Sequence, residues 1–158
     1  MSENQNNNIN ISTILLEELE FKRKPNVPDY LIDASKFDAG KLDFATSIER
    51  AFSEKGDALI LRVRIAITEK DVAEPTFNLV CKMVGIFSQE ESGSISLEKF
   101  AEYNAPAIII PYMREVISSI STKAGIIPII IPPLNLIKMI NEAKTIPGDD
   151  KKLMQDKK

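Results

Sequence analysis

The chain has 158 residues, of which 44% are hydrophobic and 27% charged, a length and composition typical of one globular domain. Its formal net charge of −3 excludes a general binder of nucleic-acid phosphates, because that role needs a concentrated basic surface. The sequence contains no histidine, the commonest general base and metal ligand, and no glycine-rich phosphate-binding motif. We therefore predict no catalytic residues, no metal site and no cofactor.

The two ends of the chain are polar. Residues 1–8 are rich in asparagine and residues 146–158 alternate in charge, so we predict a disordered N-terminus, a folded domain over 9–145 and a flexible C-terminal tail. The first ten residues lack the basic and apolar regions of a signal peptide. The longest uncharged window, 124–137, is shorter than the roughly 20 apolar residues that span a membrane. We expect a cytoplasmic protein that does not insert into membranes.

Alternating hydrophobic residues predict four β-strands in the first half of the folded domain. The four sets expected to share one face of the sheet are Ile9, Ile11, Thr13, Leu15, Leu19 and Phe21; Leu42, Phe44, Thr46 and Ile48; Leu59, Leu61, Val63, Ile65 and Ile67; and Phe77, Leu79, Cys81 and Met83. Short turn-like links at 53–57 and 69–75 favour antiparallel neighbours, so we predict a four-stranded meander. Cys81 is the one cysteine, which excludes an intramolecular disulfide, and we expect it to be a buried hydrophobic residue.

A long helix is predicted to follow the strands and to cover the apolar face of the sheet. Ser96 can cap its start, and Gly125 marks its end. Pro106 and Pro111 predict a kink or break, because a proline inside a helix removes a hydrogen bond. The hydrophobic stripe of this helix is wider than contact with one sheet requires, which favours self-association.

The segment "GIIPIIIPP" separates the long helix from a second, shorter one. Its prolines favour extended backbone, and it holds too many isoleucines for a surface loop. The second helix is predicted to run from Leu134 to about Lys144. A sheet covered on one face by helices makes an α+β fold.

Several short motifs follow one another in a characteristic order along the chain. They are "KLDF" at 41–44, "LRVRI" at 61–65, "GIFS" at 85–88, "NAP" at 104–106, "PYMRE" at 111–115, "ISS" at 117–119 and "IPIIIPPLN" at 127–135. In order and spacing these motifs resemble the SecB family of bacterial protein-export chaperones. The resemblance implies a four-stranded antiparallel sheet with two helices on one face, assembled as a tetramer that is a dimer of dimers.

The resemblance also implies a chaperone and no catalysis. Family members hold unfolded precursor proteins in apolar grooves and pass them to SecA, the motor of the translocase. Glu18 keeps one acidic position of the family's motor-docking face. The positions that match the client-binding groove are Leu42, Phe44, Ile129, Ile131, Leu134 and Leu136. The residues expected on the oligomer helix, at helical spacing, are Tyr112, Val116 and Ile120.

The sheet face that would dock the motor departs from the family pattern. Lys22 and Val80 stand where acidic residues are expected, and Arg62, Arg64 and Lys82 add positive charge. These departures leave open a second hypothesis, a SecB-like chaperone dedicated to one partner such as an antitoxin. A third hypothesis, an enzyme or carrier of a small ligand, is disfavoured by the absence of histidine and of cofactor motifs.

Overall fold

The computed structural model describes residues 8–90, 95–131 and 144–147. The strands in this part of the chain are β1 (Ile9–Arg23), β2 (Leu42–Phe52), β3 (Ala58–Glu69), β4 (Phe77–Gln89) and β5 (Lys144–Pro147). The helices are α1 (Leu97–Glu102) and α2 (Asn104–Lys123). The predicted α+β fold is confirmed, with β5 as a short addition to the four antiparallel strands.

The strand order in the sheet is β1-β4-β3-β2-β5. The strands β2, β3 and β4 form the predicted antiparallel hairpins, but β1 pairs with β4. The predicted meander was therefore wrong for β1, and the four antiparallel strands form a Greek key. The cause is the connection over residues 24–41, which carries the chain past the sheet before β2 begins, so that neighbours in sequence are not neighbours in space.

The hydrophobic core lies between the sheet and α2. On the side of the sheet that faces α2, called the core face here, the buried residues of β3 and β4 are Leu59, Leu61, Val63, Ile65, Ile67, Phe77, Leu79, Cys81, Met83 and Phe87. Ile109, Met113 and Ile117 project from α2 at helical spacing and are fully buried in the same cluster. The opposite side of the sheet is called the outer face.

Two register shifts in β1 change which face its side chains occupy. They fall at Ser12 and at Glu17, the residues that the pairing with β4 skips. Each extra residue turns the following side chains to the other face. The prediction that Leu15 and Leu19 share a face was therefore wrong. Leu15 lies on the outer face, whereas Leu19 pairs with Cys81 on the core face.

The helical segment is capped at the predicted residue and is broken just before Pro106, but it continues without a break through Pro111, where a kink or break was also predicted. The hydroxyl of Ser96 accepts a hydrogen bond from a backbone N–H in the first turn of α1. The break falls at Tyr103, so that Pro106 occupies the first turn of α2, where no helical hydrogen bond is lost, while Pro111 lies inside α2. The predicted end is confirmed at Gly125, whose φ of 71° is the left-handed conformation that favours glycine.

The proline-containing segment 126–131 that follows α2 is called the crossover here. The N–H of Ile127 donates a hydrogen bond of 2.7 Å to the carbonyl of Leu31, so the crossover is held against the connection between β1 and β2. The predicted second helix lies outside the described residues, except for its expected end near Lys144, which is the first residue of β5.

The strand β5 pairs in parallel with β2, opposite Ser47–Arg50, on the edge that faces away from β3. Its last residue is Pro147, so regular structure extends past the domain end predicted at residue 145. The rest of the predicted tail lies outside the described residues, so the predicted domain boundaries stay a prediction.

Candidate functional site

The predicted groove residues that the structure describes lie on β2 and on the crossover. Ile129 has 1% of its surface exposed, and Ile131 and Leu42 are also buried, whereas Phe44 is half-buried. All four lie in or against one hydrophobic cluster. That they contact a client stays a prediction. The two predicted groove residues outside the described part of the chain are Leu134 and Leu136.

The most exposed isoleucine of the crossover is Ile130, with 64% of its surface accessible. Extended backbone directs successive side chains to opposite sides, so Ile129 and Ile131 point inward and Ile130 points outward. Ile32 is 51% exposed. It follows Leu31, whose carbonyl accepts the hydrogen bond from the crossover. Neither Ile130 nor Ile32 is among the predicted groove residues. The sequence does indicate that alternate side chains of the extended crossover point to opposite sides. Which of them point outward depends on the hydrogen bond between Ile127 and Leu31.

The connection between β1 and β2 is hydrogen-bonded to the buried carboxylate of Glu69, the last residue of β3. Glu69, with 4% of its surface exposed, accepts hydrogen bonds from the hydroxyls of Tyr30 and Thr76, both at 2.7 Å, and from the backbone N–H of Thr76. Burial alone would raise the pKa of Glu69, but these hydrogen bonds outweigh it and lower the pKa below the ordinary value. Burial and the neighbouring carboxylate raise the pKa of Tyr30. The Nζ of Lys41, the residue before β2, lies 4.7 Å from the centre of the Tyr30 ring.

The outer face of the sheet carries a compact group of charges around Glu17. Its carboxylate lies 3.1 Å from Nε of Arg62 and 3.2 Å from Nζ of Lys82. The register shift at Glu17 places this carboxylate over the sheet. Burial would raise the pKa of Glu17, but the two cations outweigh it and lower the pKa. One negative charge thus lies between two positive charges, so this group keeps a net positive charge.

Glu18, the predicted motor-docking residue, is exposed on this outer face. It pairs across the strands with Lys82, and Lys82 pairs in turn with Arg64. The structure therefore places Glu18 in a row with two basic residues. The acidic position is present, but its surroundings are positively charged.

The outward side of α2 has little charge. Tyr112 is 51% exposed, whereas Val116 and Ile120 are half-buried and pack against the core of their own chain. Ala107, Pro111 and Glu115 are also exposed, and Glu115 is the one ionised side chain among the exposed residues between Asn104 and Thr122. A solvent-facing helix of this length would normally carry more charge. The structure thus brings Tyr112 to an exposed surface and directs Val116 and Ile120 partly inward.

The strand β1 exposes a second apolar surface at the edge of the sheet. Its exposed large hydrophobic residues are Ile11, Leu15, Leu16 and Leu19. Leu16 and Leu19 face the core side but remain exposed, because α2 packs on β3 and β4. The register shifts leave apolar side chains on both faces of this edge strand, whereas the alternation in the sequence predicts them on one face.

The described residues contain no group of three or more acidic or cysteine side chains placed to hold a metal ion. Burial raises the pKa of the Cys81 thiol to about 11, so it is protonated at neutral pH and inert as a nucleophile. No helix within residues 8–90, 95–131 and 144–147 is long and apolar enough to cross a membrane.

Comparison with known proteins gives a consistent result. A family model described as preprotein translocase subunit SecB matches residues 2–145. The SecB protein-export protein of Anaplasma phagocytophilum is 25% identical, over 87% of this chain and 93% of its own, and that of Thiobacillus denitrificans is 26% identical, over 85% and 86%. An uncharacterised protein of Methanocaldococcus jannaschii is 38% identical over 46% of each chain.

A solved structure shares the fold. It is the SecB-like chaperone of Mycobacterium tuberculosis in complex with a peptide from an antitoxin. The two structures superpose with a TM-score of 0.57 over 79% of this chain and 89% of the other, at 14% sequence identity. At this identity the likeness shows a common fold.

Proposed function

The chain belongs to the SecB family, whose members are chaperones of protein export and not enzymes, and we propose that it binds unfolded preproteins and keeps them competent for export through the Sec translocase. The observation that supports this proposal is the exposed side chain of Ile130 beside the buried Ile129 and Ile131. An apolar side chain presented by proline-stiffened backbone suits a client without fixed sequence. Burial yields about 25 cal/mol per Å² of apolar surface and needs no directional partner, and stiff backbone loses little entropy on binding.

We propose that the client lies along the crossover and β2. Leu42, Ile129 and Ile131 would form the floor of the groove, because they are buried in the hydrophobic cluster, and Phe44 would form part of its wall. Ile130 and Ile32 would contact the client directly, since they are exposed. Leu134 and Leu136 remain proposed groove residues on the strength of the family resemblance.

The proposed assembly is a tetramer built as a dimer of dimers. Such an assembly needs two different interfaces on each chain. The charge-poor outward side of α2 around Tyr112 and the apolar edge of β1 around Leu16 are two separate surfaces of suitable character. Val116 and Ile120 would support the helix interface from beneath, because they pack on the core.

Docking to the SecA motor is proposed to involve Glu18, and the protein is proposed to act in the cytoplasm. The neighbouring Lys82 and Arg64 weaken an acidic docking surface, since like charges repel a basic partner. This surface supports a second candidate, a chaperone dedicated to one protein such as an antitoxin. The solved SecB-like neighbour carries a peptide from an antitoxin, which favours testing that candidate.

The decisive experiment mixes the full chain with a chemically unfolded secretory precursor and follows aggregation by light scattering. We expect suppression at about one assembly per precursor, and no suppression at that ratio would contradict a holding function. Copurification from the native organism separates the two candidates. Many clients would support the export chaperone, and one dominant client would support a dedicated chaperone.

A further inference from the structure

The guanidinium group of Arg23, the last residue of β1, donates hydrogen bonds to three backbone carbonyl groups. Its Nε binds the carbonyl of Lys24 at 3.0 Å, its Nη2 that of Pro25 at 2.8 Å, and its Nη1 that of Ala124 at 2.7 Å. The first two carbonyl groups belong to the segment that leaves β1, whereas Ala124 directly follows α2. Arg23 therefore joins two segments that lie 101 residues apart in the sequence.

The contact with Ala124 lies where the crossover begins. The last carbonyl groups of a helix carry partial negative charge and have no partner in the helix, so a cation there stabilises the helix end. Arg23 also packs over Gly125, since a Cβ added to this glycine would lie 3.5 Å from Nη1 of Arg23. Further along the crossover, the N–H of Ile127 donates to the carbonyl of Leu31. The chain is thus held at two points before it reaches the isoleucines that differ in exposure.

We propose that Arg23 is a positioning residue for the crossover, because its bond to Ala124 fixes the direction in which the chain leaves α2 and so keeps Ile129 buried and Ile130 exposed. Two held points determine the course of a short segment. One held point allows the segment to rotate, and rotation of an extended backbone exchanges its inward and outward side chains. The effect on client binding rests on the proposed holding function, whereas the orientation of the crossover is independent of it.

The identity of the side chain at position 23 matters for this role. A planar guanidinium has five N–H donors in a fixed arrangement, so it can bind carbonyl groups of two segments at once. The ammonium group of a lysine would keep the positive charge at the end of α2 but sits on a flexible stem without that fixed arrangement. Arg23→Lys should therefore restore the orientation of the crossover only in part, whereas a purely electrostatic role would be restored in full.

Arg50 provides a matched control at the other end of α2. Its Nε donates to the carbonyl of Ala101 at 2.9 Å and its Nη2 to that of Glu102 at 3.4 Å, just before the break that separates α1 from α2. Arg50→Gln therefore also removes hydrogen bonds between an arginine and helical carbonyl groups, but at the end of α2 that is remote from the crossover. A general loosening of the helices should follow from either substitution, and a change in the crossover only from Arg23→Gln.

The first experiment measures the orientation of the crossover by the reaction of cysteine thiols with iodoacetamide. Ile129→Cys and Ile130→Cys are made separately in the full chain, with and without Arg23→Gln, and mass spectrometry quantifies the labelled peptides. With Arg23 present, we expect the thiol at position 130 to react at least about tenfold faster than that at position 129. Arg23→Gln should raise the rate at position 129 by at least about tenfold, the effect of losing one charge-assisted hydrogen bond.

The native thiol of Cys81 is the internal reference, because it is fully buried in the core and reacts only when the core opens. Its rate should change by less than about twofold in the Arg23→Gln chain. An unaltered rate at position 129, an equal rise at Cys81, or the same rise with Arg50→Gln would overturn the positioning role. If Arg23→Gln prevents folding, Arg23→Lys gives the same comparison, with a smaller rise at position 129.

A double-mutant cycle connects this orientation with the holding of clients. In chains with the native isoleucines, Arg23→Gln should weaken the binding of a fluorescein-labelled unfolded precursor by about threefold to fivefold, measured by fluorescence anisotropy. The same substitution should have little further effect in a chain with Ile130→Ala, because Arg23 acts through that side chain. Additive effects would contradict the positioning role. Failure of the parent chain to bind any precursor would instead remove the holding function and leave the labelling result intact.

Discussion

A methyl group added at Gly85 would lie 2.8 Å from Cδ1 of Ile109 and 2.7 Å from Cε2 of Phe87. Gly85 on β4 is thus the point at which α2 packs on the sheet without room for a side chain. Gly85→Ala should therefore reduce the free energy of unfolding by about 1–3 kcal/mol, the usual cost of overfilling a packed core. Urea unfolding followed by circular dichroism measures the effect.

A double-mutant cycle with Ile109→Ala provides the control for this prediction. Truncating Ile109 leaves a cavity, but it also removes one of the two close contacts of the added methyl group. The effects of Gly85→Ala and Ile109→Ala should then add to more than the effect of the double variant. Simple additivity would mean that α2 and β4 can move apart to admit the added methyl group without lowering the free energy of unfolding.

Ile129 and Ile130 form a matched pair of neighbours on opposite sides of the crossover. Ile129→Ala should lower the free energy of unfolding by about 2–5 kcal/mol because it opens a cavity. Ile130→Ala should change it by no more than about 0.5 kcal/mol because the side chain is exposed. Ile130→Ala should weaken the binding of an unfolded precursor by about fivefold, because less apolar surface is buried in the complex. Unfolding curves and a binding titration on both variants check this pair.

How far the sequence predicts this structure depends on whether the signal is local. Ser96 and Gly125 were placed correctly, because a cap and a left-handed glycine act within one turn of the chain. The alternation in β3 and β4 was also correct, since burial on one face imposes a period of two. The faces of the β1 side chains were not predicted correctly, because Ser12 and Glu17 become extra residues only through pairing with β4.

The candidate site was harder to predict for the same reason. The crossover was identified from its prolines and isoleucines, but its phase is fixed by the hydrogen bond from Ile127 to Leu31, which lies far away in the sequence. The sequence alone therefore did not indicate that Ile129 and Ile131 are buried while Ile130 is exposed, and the role of all three in client binding stays a prediction. In the same way, β5 forms only by pairing with β2, which lies far earlier in the sequence.

Glu69 makes the stability of the fold depend on pH, and Tyr30 contributes to this dependence after the two hydrogen bonds from Thr76. The folded-state pKa of Glu69 is lowered, so its contribution to stability is present above the unfolded value near 4.5 and is lost as the pH falls through the folded pKa. Tyr30→Phe removes one hydrogen bond to the carboxylate. We expect a loss of about 1–3 kcal/mol in the free energy of unfolding near pH 7.

The same loss should shrink as the pH falls below the unfolded value of 4.5 and through the lowered folded pKa of Glu69, because protonation removes the charge that strengthens this hydrogen bond. Urea unfolding of both proteins at several pH values measures the difference. Tyr112→Phe, a change at an exposed tyrosine, is the control. An equal effect of Tyr30→Phe at every pH would show that the hydrogen bond does not stabilise the ionised carboxylate.

The proposed docking of SecA through Glu18 can be tested by changing the charge of the outer face. Glu18→Arg should weaken binding to the organism's own SecA by about fivefold to tenfold if Glu18 docks it, and Arg64→Glu in the same cross-strand row should strengthen binding. Both effects should diminish at high salt, which screens exposed charges. Glu54→Arg, in the loop between β2 and β3, is the control for net charge. A titration by light scattering or calorimetry that finds no change with Glu18→Arg would remove this residue from the docking surface.

The two proposed interfaces can be separated by one substitution in each. Tyr112→Glu places a charge on the exposed side of α2, and burying it between chains would cost several kcal/mol. We expect this variant to be a dimer by mass photometry. Leu16→Glu at the edge of β1 should likewise give a dimer, held by the other interface, and the double variant should be a monomer. Val116→Glu should instead unfold the chain, because Val116 packs against its own core. A tetramer that survives both substitutions would place the contacts between chains on other surfaces.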